Sequence, residues 1–371
     1  MSAERYRLDR WLGNLNGDQD IGRSIGFWLV FLAIVVAGIL APEYVSRYQL
    51  RNLSNFLGSG FLALSLCLIW GYCGILSLGQ AAFMGIGGYA YGIVGINLIE
   101  ESGNTNLALL VGLFAPVLVA AVLGYVMFYG RLRGVYVAIL MFVTTQLIQA
   151  FLNQTAGPNW FIGKAHLGGN NGLGRFSGDI REPPNLTLGF GDSLFEFEGK
   201  QASFYYLSFG LLVVTYLALR WLVNSGWGRV MVALREDPDR TESFGYNVRL
   251  IQLLVFCLSA FLAAISGVLY VTWGNFITPD VFSVYNNILP VIWVAVSGRK
   301  SLTATLVGAL LLVWLSQWLA LQGDLAFIVL GTILIVAMML APDGVVTGLL
   351  GLRQRWSRRK VTGRRGAEAV P

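Results

Sequence analysis

The chain has 371 residues, 56% of them hydrophobic and only 12% charged, and its mean hydropathy is +0.64. A soluble domain carries about 25% charged residues, so the composition excludes a water-soluble globule and predicts an all-α, polytopic membrane protein with one membrane domain. The net charge of +6 sits in tails and short loops beside apolar runs, which argues against a nucleic-acid-binding face.

In chain order, Met1–Arg23 is a polar head carrying Arg5, Arg7, Arg10 and Arg23. Apolar runs follow at Ser24–Leu40, Leu53–Trp70, Ser77–Leu98, Leu107–Phe128, Val135–Leu152, Phe204–Val223, Leu250–Val271, Val281–Val296, Leu302–Leu321 and Leu325–Leu340. Each is close to the ~20 residues that cross a bilayer core, giving about ten spans. Gly71-Tyr72-Cys73-Gly74 interrupts the pattern, so an element around Gly71–Gly79 is either broken or re-entrant. The membrane domain covers residues 24–342, with a polar loop at 153–203, a charged loop at 224–249 and a basic tail at 343–371.

Loop charge sets the orientation. With both termini inside, the Arg131/Arg133 turn, the 224–249 loop, the Arg299/Lys300 turn and the tail are cytoplasmic. Glu100, Glu101, Asp324 and the 153–203 loop then fall outside, as expected when short basic loops select the cytoplasmic side. Arg358, Arg359 and Lys360 in the tail suit contact with lipid headgroups. No cleavable leader is expected, because the first apolar run begins near Ile25 after a charged head and reads as a retained span.

Trp227–Val248 is too elaborate for an idle connection. Trp227, Val230, Met231 and Leu234 recur at helical spacing, giving a short helix with one apolar face. Asp237 can cap a second short helix with Pro238 at its first position, and Gly245 can stop it. Such a capped, charged elbow between two spans fits a docking surface for a soluble partner; the alternative is an amphipathic helix lying on headgroups.

Ala81, Gly85, Gly88, Gly92 and Gly95 place a stripe of small residues on one face of the third span, where another helix backbone can approach closely. Packing within this chain is the expected use, ahead of a subunit contact. Gly85-Ile86-Gly87-Gly88-Tyr89-Ala90 fits a dinucleotide fingerprint, but that motif has meaning only between a strand and a helix of a βαβ unit. Gly298-Arg299-Lys300-Ser301 lacks the glycines of a phosphate-binding loop. His166 is the single histidine, and Cys67, Cys73 and Cys257 show no metal-binding spacing, so neither a metal site nor a disulfide framework is expected. No catalytic signature is present.

The spans are poor in ionisable groups and comparatively rich in neutral polar ones: Gln80, Tyr89, Gln146, Gln149, Tyr285, Asn286 and Asn287. Unpaired polar groups are costly in a membrane, so each must meet a partner or a wet cavity. For any one of them an interhelical hydrogen bond is the simpler use. Together they suit an uncharged polar solute better than an ion.

Several motifs carry a family resemblance. Leu76-Ser77-Leu78-Gly79-Gln80-Ala81-Ala82-Phe83 with Gly87-Gly88-Tyr89, Gly168-Gly169-Asn170-Asn171-Gly172-Leu173 and Pro342-Asp343-Gly344 resemble blocks of the permease subunits of branched-chain-amino-acid-type ABC importers. The elbow is similar to that family's coupling segment, with Gly245 at the motif glycine and Thr241 and Ser243 where alanines are usual. Val291–Arg299 following Thr272–Ile277 looks most like the urea-type subunit, with Trp293 where amino-acid-type subunits carry a smaller apolar residue.

The resemblance implies a translocation subunit of the cell inner membrane, with ATP and Mg bound on partner subunits. It implies a second related permease subunit, two ATPase subunits and a periplasmic solute-binding protein as partners. Urea or a short amide is the implied cargo, and Arg235, Glu236, Asp237, Glu242 and Gly245 are the implied ATPase-coupling residues. The rivals are a branched-chain amino acid permease of the same family, a passive urea channel and an ion-coupled carrier. The last should show inverted repeats with matched intramembrane charges, and neither is visible.

Overall fold

The computed structural model describes residues 13, 15–22, 24–157, 159–174, 182–190 and 193–320, with Val329, Gly331, Thr332, Val336, Met339 and Gly344. Apart from those six positions, the expected last span at Leu325–Leu340 and the basic tail lie outside the described residues. Among those described, eight helices are long and apolar enough to cross a bilayer. The first six are α1 (Ile25–Tyr44), α2 (Arg47–Leu66), α3 (Gln80–Ser102), α4 (Asn106–Tyr129), α5 (Val135–Gln154) and α6 (Ala202–Asn224). After the short α7 (Gly226–Glu236) and α8 (Pro238–Ser243) come α9 (Val248–Gly274), α10 (Val284–Ser297) and α11 (Leu302–Ala320).

Packing follows residue size. Helices α2 and α9 form the centre, each with 72% of its apolar window buried, whereas none of the α1 window is buried. A Cβ on Gly267 of α9 would overlap the Met84 carbonyl of α3, and one on Gly87 would come within 3.0 Å of the Gly112 carbonyl of α4. Backbones of α3, α4 and α9 therefore touch where glycine permits it. The predicted stripe is shared more widely than expected. Gly88 faces Ile277 and α9, Gly85 lies under the Phe282 ring, and Gly92 and Gly95 receive Leu173, Pro183 and Pro184 from the loops. Ala81 lines a cavity instead.

Two of the expected elements differ. The third span begins at Gln80 rather than Ser77, because α2 ends in a π-helical turn over Cys67–Tyr72 and the chain then runs without helix through Gly74 at φ +78°. Gln80 hydrogen-bonds Ser259 at 3.1 Å, roughly three turns into α9. Helix α3 thus starts inside the bundle, and the 73–79 segment re-enters to reach it. The run predicted as a span at Val281–Val296 is instead a 3-10 turn, Pro279–Phe282, followed by the 14-residue α10. At 1.5 Å per residue α10 is about 21 Å long, short of a core of about 30 Å. Its start is fixed by the Ser283 hydroxyl, which accepts from Asn286 N, and its end by Gly298 at φ +125°.

The connections segregate to opposite ends of the bundle. At one end Arg133 meets Asp239 at 2.9 Å, Arg235 donates to the Gly71 carbonyl, and Cys67 contacts the Arg299 carbonyl at 3.3 Å. At the other end Thr105 N donates to Thr187 O at 2.8 Å, and Leu173 pairs with Ile277. The basic turns and the elbow share one end and the acidic turn shares the other with the long loop, in keeping with the charge asymmetry. That loop is not featureless. It carries two antiparallel hairpins, β1 (Phe161–Ile162) with β2 (Ala165–His166) and β3 (Leu186–Phe190) with β4 (Ser193–Phe197).

The described part of the polar head also folds back. Residues 15–22 lie across the elbow end, held by a buried ion pair between Asp20 and Arg220 at 3.1 Å, both side chains fully enclosed. Arg220 donates further to the carbonyls of Leu15, Ile21 and Gly22, and its guanidinium lies 4.7 Å from the Phe27 ring centre.

Candidate translocation site

A cavity of about 480 Å³ opens between α2, α3, α9, α10 and α11. Its polar wall comes from Ser54, Asn55 and Ser59 on α2, Ser266 and Tyr270 on α9, Tyr285 and Asn286 on α10, and Ser316 and Gln317 on α11. Leu62, Met84, Leu269, Leu289, Trp293 and Val313 supply the apolar wall. No carboxylate, lysine, arginine or histidine of the described residues lines it. Asn286 Nδ2 donates to the Asp280 carbonyl at 2.8 Å, which leaves its carbonyl oxygen as the acceptor it can offer.

Of the residues singled out in the sequence, Tyr285 and Asn286 reach this wall. Gln80 is buried behind it, clasped between Ser65 at 3.1 Å and Ser259 at 3.1 Å. Three others converge on Phe282. Gln146 and Asn287 both donate to its carbonyl at 3.1 Å, and the Tyr89 ring lies 5.9 Å from its ring. Phe282 thereby gathers α3, α5 and α10 just outside the start of α10. The Tyr89 hydroxyl and Asn287 Oδ1 are buried without a hydrogen-bond partner. Gln149 sits half-buried on α5, near Gln146. Sequence reasoning missed the α2 wall, although Ser54, Asn55 and Ser59 interrupt an apolar run on adjoining helical positions. It also missed Tyr270 and Gln317, which only tertiary packing brings to the same space.

The elbow has the anticipated local construction. Asp237 caps α8 by accepting from Arg240 N at 3.0 Å, Pro238 occupies the first turn, and Gly245 ends the unit at φ +88°. Met231 and Leu234 are buried against the bundle. Arg235 is turned inward: its side chain is 20% exposed, pairs with Glu236 at 2.6 Å and reaches the end of α2 at Gly71. Glu236 and Glu242 are more open, at 67% and 55%. The most exposed apolar group on the elbow is one the charge pattern passed over, Phe244 at 82%, with Tyr246 nearby at 48%. Arg133 beside Asp239 holds that carboxyl below its ordinary value and is itself pushed up. Hydrogen bonding to Arg235 likewise lowers Glu236.

Residues 50–341 match the family described as branched-chain amino acid transport system / permease component, and the chain belongs to that family. It is similar to the high-affinity branched-chain amino acid transport system permease protein LivM of Escherichia coli K12, 28% identical over 332 residues, 88% of this chain and 76% of the relative. It is also similar to the ribose import permease protein RbsC of the same strain, 25% identical over 337 residues, 87% of this chain and 91% of the relative. A shorter likeness, 27% over 142 residues, covers 35% of this chain and 39% of the fructose import permease protein FrcC of Rhizobium meliloti. No solved structure gives a significant match. With eight apolar helices of membrane length among its described residues, the chain is a multi-pass inner-membrane permease subunit of the ABC importer type.

Proposed function

We propose that this permease subunit moves urea, or a comparably small amide, by alternating access driven by separate ATPase subunits. One observation carries the choice of solute: the cavity wall offers amides, hydroxyls and phenols but no charged side chain among the described residues. An amide exchanges hydrogen bonds with such a wall at little desolvation cost, whereas the charged ends of an amino acid would lose hydration there without a counter-charge. The Trp293 resemblance to urea-type subunits supports the same choice.

In this reading the elbow end is cytosolic and α7–α8 sit in a groove of an ATPase subunit. ATP and Mg bind on that partner. A second permease subunit completes the pathway, and a periplasmic binding protein delivers the solute to the opposite end. Glu236, Asp237, Glu242 and the exposed Phe244 make the docking contacts, while Arg235 ties the elbow to α2. The likeness to LivM favours a second reading, in which the cargo is a branched-chain amino acid.

Competition separates the two. In vesicles holding the complete importer, ATP-dependent uptake of labelled urea should be displaced by unlabelled urea and not by leucine. Displacement by leucine alone would transfer the assignment to the amino acid. Uptake by this chain without nucleotide would instead indicate a passive channel.

A further inference from the structure

The amino-terminal segment does more at the elbow end than cover it. We infer that residues 15–22 are a brace joining the root of the elbow to α11, and that Asp20 is the positioning residue that pins it. This inference rests on the elbow being the driven element.

Asp20 holds two helices at once. One carboxylate oxygen accepts from Arg220 on α6 at 3.1 Å and from Thr303 on α11 at 3.0 Å. The other accepts from Ser301, the residue before α11. Its neighbour Gln19 extends the connection in both directions. Gln19 N donates to Asn224, the last residue of α6, at 3.0 Å. The Gln19 carbonyl accepts from Tyr72, at the end of α2, at 3.2 Å. Asn224 leads through Ser225 directly into α7, so the segment grips the chain where the elbow departs.

Placement makes the connection mechanical. Helix α6 does not line the cavity, whereas α11 contributes Val313, Ser316 and Gln317 to it. Among the described residues, the hydrogen bonds between α6 and α11 lie at the base of α11, where Thr303 meets Tyr216 at 2.7 Å and Arg220 at 3.3 Å. A displacement of the elbow root can therefore reach the α11 wall through two joints at that base: the carboxylate of Asp20 with the hydroxyls it holds, and the direct bonds to Thr303. Both ionic groups are fully enclosed, so water cannot compete for them and the joint has little slack.

The test uses the complete importer in proteoliposomes. Ser301→Ala with Thr303→Val removes both hydroxyls through which α11 holds Asp20, leaving the Asp20–Arg220 pair and a 3.5 Å contact from Thr303 N in place. The readout is solute carried per ATP hydrolysed, which a loss of folded protein alone does not change. The expected result is that this ratio falls about tenfold while solute-stimulated hydrolysis continues, a size typical of coupling between sites. Asp20→Asn should lower it likewise, and restoring Thr303 in the double variant should recover part of the loss. An unchanged ratio in folded, assembled Ser301→Ala/Thr303→Val protein would overturn the brace. Failure of the native assembly to couple ATP to any uptake would instead overturn the function on which it rests.

Discussion

Replacing Arg220 by Met is the most informative single perturbation of the fold. The native guanidinium serves the Asp20 carboxylate and the carbonyls of Leu15, Ile21 and Gly22. If the segment stayed in place, an enclosed carboxylate without its counter-charge would cost about 3–5 kcal/mol. Each orphaned carbonyl would add about 1–3 kcal/mol. That sum rivals the whole stability of a typical domain, about 5–15 kcal/mol, so the segment must leave instead and return these groups to water. The loss is then capped by the free energy with which residues 15–22 dock, and we expect about 3–5 kcal/mol rather than the full sum. Unfolding in mixed micelles measures the loss, and hydrogen exchange at the Gln19 amide, which Asn224 protects in the native chain, reports the release. A cost below about 1 kcal/mol with Gln19 still protected would refute the reasoning.

Other consequences are simpler. Gly267→Val pushes a side chain into the Met84 carbonyl and should destabilise the α3–α9 contact by at least the about 1–3 kcal/mol of ordinary overpacking, read as a lower melting temperature in detergent. Asn286→Leu removes a cavity-wall amide and should raise KM for urea several-fold, about 1 kcal/mol for one hydrogen bond, with assembly unchanged. The Arg133–Asp239 tie has a defined pH dependence. Arg133 holds Asp239 below its ordinary 3.8, so the tie is complete above that pH and is lost as pH falls through the lower folded value. A spin label at Phe244→Cys should accordingly show the same mobility from about pH 5 to 8 and loosen only in stronger acid.

What was legible in the sequence was what local chemistry encodes. Apolar runs of bilayer length gave the spans, and Asp237, Pro238 and Gly245 gave the elbow its caps because each acts within one turn of its own position. The features that escaped depend on distant partners. Asp20 and Arg220 are 200 positions apart, and Asp20 and Ser301 are 281 apart, so nothing near the amino terminus marks it as part of the bundle. Helix α10 has enough apolar residues for a span, and only the Phe282 junction and the Ser283 cap show why it is cut short. Gln80 reads as a pathway residue by type, yet Ser65 and Ser259 already satisfy its amide. The α2 wall was hidden because serines on an apolar helix look the same whether they face a neighbour or a cavity.

The central claim is that movement enters this chain through α7–α8. A photo-reactive amino acid at Phe244, 82% exposed at the elbow tip, tests it in the assembled importer. The account predicts a cross-link to the ATPase subunit whose yield changes when ATP is added. A label that reaches only lipid, with or without nucleotide, would contradict it.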